Sequence, residues 1–302
     1  MSEKQPRVLI FGAGVIGSAY AIKFIEAGID LTLLARGNRF ESLQKHGLLY
    51  KDKKTVKALK VNVIDTLAND DIYDFIIVTV RYDKAESALL ALKNNQSPNI
   101  VTMISNPIGF SKWQAIIGTK LIPAFPGVGG QMNQGVLNAR YMPKVLAATT
   151  FGEVNGSATA RIEKLANLFK TAKRPYTINR DMQAYLMTHS VSDIAMLGSL
   201  YSDNKTTDKN TAKKITTTLK VYLSALQKAG ITVNPAALKI VTKTANWLLN
   251  FFFMRWLQTK MVKEMRLAEY ATSANNEIKK LKGDLLQFLG QNNGTLKQKN
   301  IE

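Results

Sequence analysis

Two kinds of apolar pattern alternate in the first half of the chain. Arg7-Val8-Leu9-Ile10-Phe11 is a short apolar run closed by Gly12. A strand covered by helices on both faces reads this way, because neither face meets water. Across residues 15–28 the apolar positions fall at 15, 16, 19, 22 and 25, the spacing of a helix with one buried side, and a glycine ends it. Leu31-Thr32-Leu33-Leu34-Ala35 predicts a second parallel strand, and further buried strands are predicted at residues 75–80 and 100–104. Strands that alternate with helices join in right-handed β-α-β units. The pattern therefore predicts an α/β fold: a doubly wound, parallel-sheet dinucleotide-binding domain.

From about Asp181 onward only the helical period remains. Helices are predicted at residues 181–201, 208–229, 235–250, 251–270 and 274–289, with Asn234-Pro235 as a cap and a first-turn proline. The division falls near residue 179, with the dinucleotide-binding domain at residues 1–179 and an all-helical domain at residues 180–302. No internal repeat is seen, and the polar residues 291–302 are expected to fray. The run Trp247-Leu248-Leu249-Asn250-Phe251-Phe252-Phe253-Met254-Arg255-Trp256-Leu257 is apolar around most of a helix. A buried core helix is the expectation, with the contact of a homodimer as the alternative.

Two stretches test for a membrane span. Residues 121–139 lack charge but hold two Pro and four Gly, which predicts loop and short strand. Residues 244–254 are apolar but only about half the length of a spanning helix. The start of the chain shows no signal or lipidation pattern, so no membrane span and a cytoplasmic location are expected. Cysteine is absent, which excludes disulfides and thiolate metal sites. The formal net charge of +19 predicts attraction to anions. No zinc-finger, RNA-recognition or basic-repeat pattern accompanies it, so the expected partner is an anionic small molecule and not a specific nucleic acid.

Gly12-Ala13-Gly14-Val15-Ile16-Gly17 fits G-x-G-x-x-G and lies between an apolar strand and a helix, the setting that gives this pattern meaning. Gly12 permits the tight turn, Gly14 lets backbone approach a pyrophosphate, and Gly17 allows close packing of helix on strand. The helix start at Val15 and Ile16 faces the phosphates. An NAD site usually ends the second strand with a carboxylate that holds the ribose. Here the residues are Ala35-Arg36-Gly37-Asn38-Arg39, and the nearest acid, Asp30, stands at the strand's beginning. Arg36 can pair with a 2′-phosphate through its planar fork and Arg39 can assist, which favours NADP(H). The alternative is a solvated loop arginine.

The run from Gly12 through Leu34-Ala35-Arg36-Gly37 resembles the 2-dehydropantoate 2-reductase (ketopantoate reductase) family, and further matches follow in order. Val78-Thr79-Val80-Arg81 falls where the family has a strand ending in a cofactor-contacting lysine, so Arg81 keeps the charge. Ser105-Asn106-Pro107-Ile108-Gly109 is similar to its Asn-Gly-x-Gly turn, with Asn106 and Gly109 kept. Phe151-Gly152-Glu153-Val154-Asn155-Gly156 is similar to its Ile-Gly-Glu-x-x-Gly segment. The likeness covers nearly the whole chain and is sharper before residue 180.

The resemblance implies reduction of a 2-keto acid or related small carbonyl by NADPH in a cleft between the domains. It places the proton donor on the first helix of the second domain. The family's lysine falls on His189 and its asparagine four residues later on Asp193. Histidine can serve as the acid, and a carboxylate one turn away would favour the imidazolium while repelling the substrate's own carboxylate. The alternative is a helix-surface His–Asp pair. The other histidine, His46, precedes Gly47 and reads as a helix-end residue. Glu277 suits the family's C-terminal glutamate, but Met265 and Arg266 stand where its serine pair would be. Asn106 and Glu277 are thus expected to position substrate, and His189 to be the acid. The rival reading is a non-catalytic NADP(H)-binding redox sensor, favoured by loss of the lysine and the serines.

Overall fold

The structure is a computed structural model that describes residues 6–142, 148–202, 208–259, 262 and 274–293. The chain divides into two compact units. One holds the described residues up to Ile104 together with Ser111–Met182; the other holds Ser105–Phe110 and the described residues from Gln183 onward.

In the first unit the strands are β1 (Arg7–Phe11), β2 (Asp30–Leu34), β3 (Leu48–Asp52), β4 (Thr55–Leu59), β5 (Asn62–Ile64) and β6 (Phe75–Val78). They continue with β7 (Ile100–Met103), β8 (Leu121–Phe125), β9 (Val128–Asn133), β10 (Val136–Tyr141), β11 (Thr149–Phe151) and β12 (Tyr176–Ile178). Its helices are α1 (Val15–Glu26), α2 (Asn38–His46), α3 (Ala85–Leu92), α4 (Ser111–Ile117) and α5 (Ala160–Thr171). The main sheet runs β5-β2-β1-β6-β7-β8-β11-β12, and every neighbouring pair is parallel except β8 with β11. The expected mixed architecture of parallel sheet, flanking helices and a helical C-terminal region is therefore present. Strand order reverses between β1 and β6, where Val8 aligns with Phe75 and Phe11 with Val78. Val8, Leu9, Ile10, Ile76 and Ile77 are wholly buried, which is why these strands read as unbroken apolar runs.

A second sheet, β4-β3-β10-β9, packs β9 and β10 on α1. Residues 121–139 are thus largely strand, more so than the loop and short strand expected. The signal lay in turn chemistry. Gln134 and Gly135 both have positive φ, at 47° and 80°, as the two-residue turn of a twisted hairpin demands. Likewise Lys51-Asp52-Lys53-Lys54 forms the β3–β4 turn, with Lys53 at φ 55°.

The segment around Glu153 ties the far end of this unit together. Gly152 and Gly156 lie so close to the chain at Asn179 and Arg180 that a Cβ would stand 2.0 Å and 2.2 Å from their carbonyl oxygens. Glu153 is only 5% exposed, and it accepts hydrogen bonds from Thr159 Oγ1 and, at 2.7 Å, from Arg161 Nε. Arg161 also donates to the carbonyls of Thr119 and Leu121. Burial pushes the Glu153 carboxyl up, but the bonds from Arg161 and Thr159 more than offset it and hold it below the usual carboxylate range.

In the second unit the helices are α6 (Met182–Ser202), α7 (Lys209–Lys228), α8 (Lys239–Lys243), α9 (Asn246–Leu257) and α10 (Asn275–Asn293). Asp208 caps α7 by accepting from the backbone of Asn210 and Thr211, each at 2.9 Å. The helix expected over 235–250 is instead a 3₁₀ turn at Ala236–Leu238, preceded by Pro235, then α8 and a break at Thr244 and Ala245. Lys220 Nζ stabilises the break by donating to Thr244 O at 2.6 Å and Asn246 Oδ1 at 2.7 Å. The expected helix over 251–270 has described residues only through Thr259 and at Val262, and α9 ends at Leu257.

The aromatic helix is not the buried core helix expected. Leu249, Phe253 and Leu257 of α9 are buried, but Trp247, Phe251 and Phe252 are 73%, 57% and 56% exposed. Periodicity could not show this, since apolar residues occupy both sides. Among the described residues, no helix is long and apolar enough to cross a membrane.

Glu153→Ala should destabilise the protein by about 2–4 kcal/mol, because it leaves a half-buried Arg161 with one fewer anchor and breaks a buried charge pair. Urea denaturation checks this. A midpoint equal to the parent's would show that the Glu153 contacts hold nothing.

Candidate functional site

The glycine-rich turn leaves β1 at Phe11 and enters α1 at Val15. Gly12 has φ 116°, a conformation that side chains rarely adopt. Its carbonyl accepts from Thr79 Oγ1 at 2.9 Å, so the residue after β6 braces the turn. Gly17 is the tightest point. A Cβ there would lie 2.0 Å from the Gly12 carbonyl oxygen and 2.6 Å from Thr79 Oγ1. At Gly14, by contrast, nothing lies within 4 Å, which leaves that side of the turn open to a ligand. Gly14 caps α1 without a side-chain bond, and the first turn carries no acid; the N–H groups at Val15, Ile16 and Gly17 precede the helix's first backbone bond, which Ser18 N donates to Gly14 O at 2.9 Å.

Three arginines flank this turn and differ in their contacts. Arg36 is exposed just past β2, with its guanidinium 5.9 Å from the centre of the Phe11 ring. Arg39 is committed to the fold: it donates to the carbonyls of Ala13 and Gly135, each at 3.2 Å, and to Ser18 Oγ at 3.3 Å. Burial lowers its affinity for the proton from the ordinary arginine value. The assisting role expected of Arg39 becomes bracing of the turn. Arg81 is exposed at the start of the 3₁₀ turn Tyr82–Lys84.

In the second unit, Asn106 organises the turn of Ser105–Phe110. Its Nδ2 donates to Gly109 O at 2.8 Å, and its Oδ1 accepts from Ile108 N at 3.1 Å. The residue is buried, and both ends of its amide serve the turn. Gly109, at φ 84°, lies against the Gln183 side chain, which a Cβ would meet at 3.2 Å. His46 ends α2 before Gly47, as expected.

His189 and Asp193 lie one turn apart on α6, largely buried but with some surface left. The Tyr185 and His189 rings stand 4.5 Å apart. Ser105 Oγ donates to Asp193 Oδ2 at 2.7 Å, a contact invisible to sequence reasoning because 88 residues separate the partners. Burial pushes the Asp193 carboxyl up, the Ser105 bond opposes this, and the nearby charge of Glu277 adds to it, giving about 7. Burial lowers the His189 imidazole to about 4. The sequence pattern suggested an imidazolium held by a carboxylate. At neutral pH the structure instead favours a neutral imidazole, one turn from a carboxyl pushed well above the usual carboxylate range. Met265 and Arg266 lie outside the described residues.

These shifts make stability depend on pH in opposite directions. Asp193 is raised from 3.8 to about 7, so the unfolded chain ionises first and stability falls as pH rises through that window. His189 is lowered from 6.5 to about 4, so the unfolded chain takes up a proton first and stability falls as pH drops through that window. Asp193→Asn should therefore be more stable than the parent at pH 8, on the order of 2 kcal/mol after allowing for partial solvent access. The gain should fade towards pH 4. A gain that is the same at both ends would remove Asp193 as its source.

Residues 8–113 match the family model described as ketopantoate reductase PanE/ApbA. The 2-dehydropantoate 2-reductase of Pyrococcus horikoshii is 31% identical over 107 residues, which make up 34% of this chain and 34% of that protein. The match thus spans about a third of the curated relative. Among solved structures, 2-dehydropantoate 2-reductase from Geobacter metallireducens superposes with a TM-score of 0.63 at 16% identity, covering 93% of this chain and 99% of that one. D-mandelate dehydrogenase, solved with NADH and anilino(oxo)acetate, gives 0.63 at 12% identity over 95% of this chain and 99% of that one. At such identities the likeness is one of fold. By sequence in its first third and by fold over nearly all its length, the chain resembles the ketopantoate reductases.

Proposed function

We propose that the protein is an NADPH-dependent oxidoreductase of the ketopantoate reductase type, reducing a 2-keto acid or related small carbonyl. The observation that carries this is the open turn at Gly12–Gly17, set where strand order reverses, with Arg36 in place of a ribose-binding acid. The residues fit a phosphorylated dinucleotide. The N–H groups at Val15, Ile16 and Gly17 take the pyrophosphate, Arg36 takes the 2′-phosphate, and Arg81 adds positive charge nearby. Bound there, the cofactor supplies hydride to a carbonyl carbon. The chain's own task is to hold the substrate and to protonate its oxygen, and the groups for it are Asn106, His189, Asp193 and Glu277. With His189 held neutral, its role in this reading is a hydrogen bond to the substrate. The mandelate dehydrogenase of like fold, solved with an oxo-acid ligand, supports that substrate class.

The exposed aromatic side of α9 supports a homodimer, since so large an apolar face is seldom left in water. A cytoplasmic setting belongs to the same reading.

NADPH should bind at least tenfold tighter than NADH, about 1.4 kcal/mol, and Arg36→Ala should erase most of that difference. Titration calorimetry with both nucleotides decides it, and equal affinities in the unmodified protein would refute the assignment. In steady-state assays against keto acids, keto esters and aldehydes, NADPH should be consumed with at least one of them. Tight binding without turnover of any would favour the redox sensor. Sedimentation should show a dimer that Phe251→Lys dissociates, and a monomer at every concentration would refute that contact.

A further inference from the structure

We propose that the exposed aromatic side of α9 docks the protein onto an anionic lipid surface, on which it lies without spanning the bilayer. The inference is independent of the reductase reading, and it competes with the homodimer for the same side chains.

Helix α9 has two apolar sides. Leu249, Phe253 and Leu257 recur every four residues and are buried in the second unit. Trp247, Leu248, Phe251 and Phe252 fall on the other side of the helix and are 73%, 44%, 57% and 56% exposed. The rings are not loose, since Phe252 meets the buried Phe253 edge-on with centroids 5.3 Å apart. Ile240, 66% exposed, precedes them on α8. One side of α9 is enough to hold it in the core, so the second apolar side marks a contact surface. At 12 residues the helix is about 18 Å long, enough to lie in a bilayer interface and too short to cross.

Charge identifies the contact. From Lys209 to Lys263 the sequence holds nine lysines and one arginine, with no aspartate or glutamate. This run therefore supplies ten of the nineteen net positive charges. Lys239 and Lys243 stand just before the aromatic residues, Arg255 follows Phe251 by one turn, and all three are exposed. Lys220 fixes the chain between α8 and α9 through Thr244 and Asn246, so the cationic and aromatic parts keep their order. Apolar side chains bracketed by cations suit the boundary between acyl chains and anionic headgroups. The rings enter the boundary, and the long basic side chains reach the phosphates. Each cation near such a surface strengthens binding by roughly fivefold.

Other occupants answer only part of this pattern. A second copy would cover the rings, but it would set two groups of the same cations together with no carboxylate of this run between them. A nucleic acid would answer the charge and leave Ile240 and Leu248 without apolar partners. An anionic lipid surface answers both at once. The helix is already folded and packed, so docking needs no coupled folding.

The test uses the full-length protein with vesicles of phosphatidylcholine, alone or mixed with phosphatidylserine. Co-sedimentation should show binding to the mixed vesicles roughly tenfold or more tighter than to the neutral ones, and added salt should weaken it. Tryptophan emission should shift to the blue on binding. Trp113 is buried and Trp256 half-buried, so Trp247→Phe should bind as the parent does and lose most of that shift. Phe251→Ser combined with Phe252→Ser should weaken binding by roughly tenfold or more, and so should Lys239→Ala combined with Lys243→Ala. All four residues are exposed, so thermal midpoints should stay near the parent's. Lys53→Ala with Lys54→Ala, in the β3–β4 turn of the first unit, should leave binding unchanged. Cross-linking of the dimer should fall as mixed vesicles are added.

Equal binding to both kinds of vesicle, or to neither, would overturn the proposal. So would mixed-vesicle binding that the paired Phe251 and Phe252 substitutions leave intact, because net charge alone would then account for it. Tighter binding to single-stranded RNA than to the mixed vesicles would give the face to a nucleic acid. A dimer that persists while the vesicles stay unbound would give it to a second copy. Either result overturns the lipid assignment, and none of these outcomes bears on the reductase reading, which the NADPH assays decide.

Discussion

The carbonyl oxygen of Gly12 stands so close to position 17 that a single added carbon would meet it at 2.0 Å. That approach sets how α1 lies on β1, and much of the first unit depends on it. Thr79 reaches from the end of β6 to the same carbonyl. Ser18 and Arg39 hold the carbonyl of Ala13, and Arg39 continues to Gly135 in the hairpin of the small sheet. Tyr141 on that hairpin donates to Ala19 O at 2.7 Å. The turn that would receive a pyrophosphate is thus clamped from the main sheet, from α1 and from the second sheet. A donor array fixed in this way needs little reorganisation to bind an anion, which is the physical value of building it from backbone.

Electrostatics in the second unit follows a different rule. The chain carries a formal charge of +19, yet in the cluster on α6 desolvation outweighs the long-range field. Burial drives both His189 and Asp193 towards their neutral forms, against the ion pair that their i, i+4 spacing suggests on paper. Helix spacing predicts which side chains are neighbours, but the solvent around them decides which is charged.

Legibility in the sequence tracks how local each determinant is. β1, β2, β6 and β7 could be read because burial on both faces writes itself into consecutive apolar residues. The turn at Gly12–Gly17 could be read because steric demands fall on residues within six positions of one another. The small sheet escaped because β9 is rich in glycine and amide, and its register depends on the turn at Gln134-Gly135 and on α1. The break at Thr244 and Ala245 escaped for a similar reason, since Lys220 stabilises it from α7. At the candidate site, Arg36 was legible from the strand end, and His189 and Asp193 from helix register. Ser105 was not, because its bond to Asp193 exists only once the loop after β7 joins the second unit.

A pyrophosphate-binding turn and a proton donor differ in what they demand of a sequence. Backbone N–H groups that receive a pyrophosphate tolerate no side chain at the closest approach, so glycine is tied to fixed positions a few residues apart. A proton donor is tied only to a group that holds a proton near neutral pH within reach of a developing alkoxide, and several kinds of side chain meet that once burial and neighbours shift them. The first demand is local and can be read from spacing. The second depends on the surroundings that folding creates, and spacing alone does not reveal it.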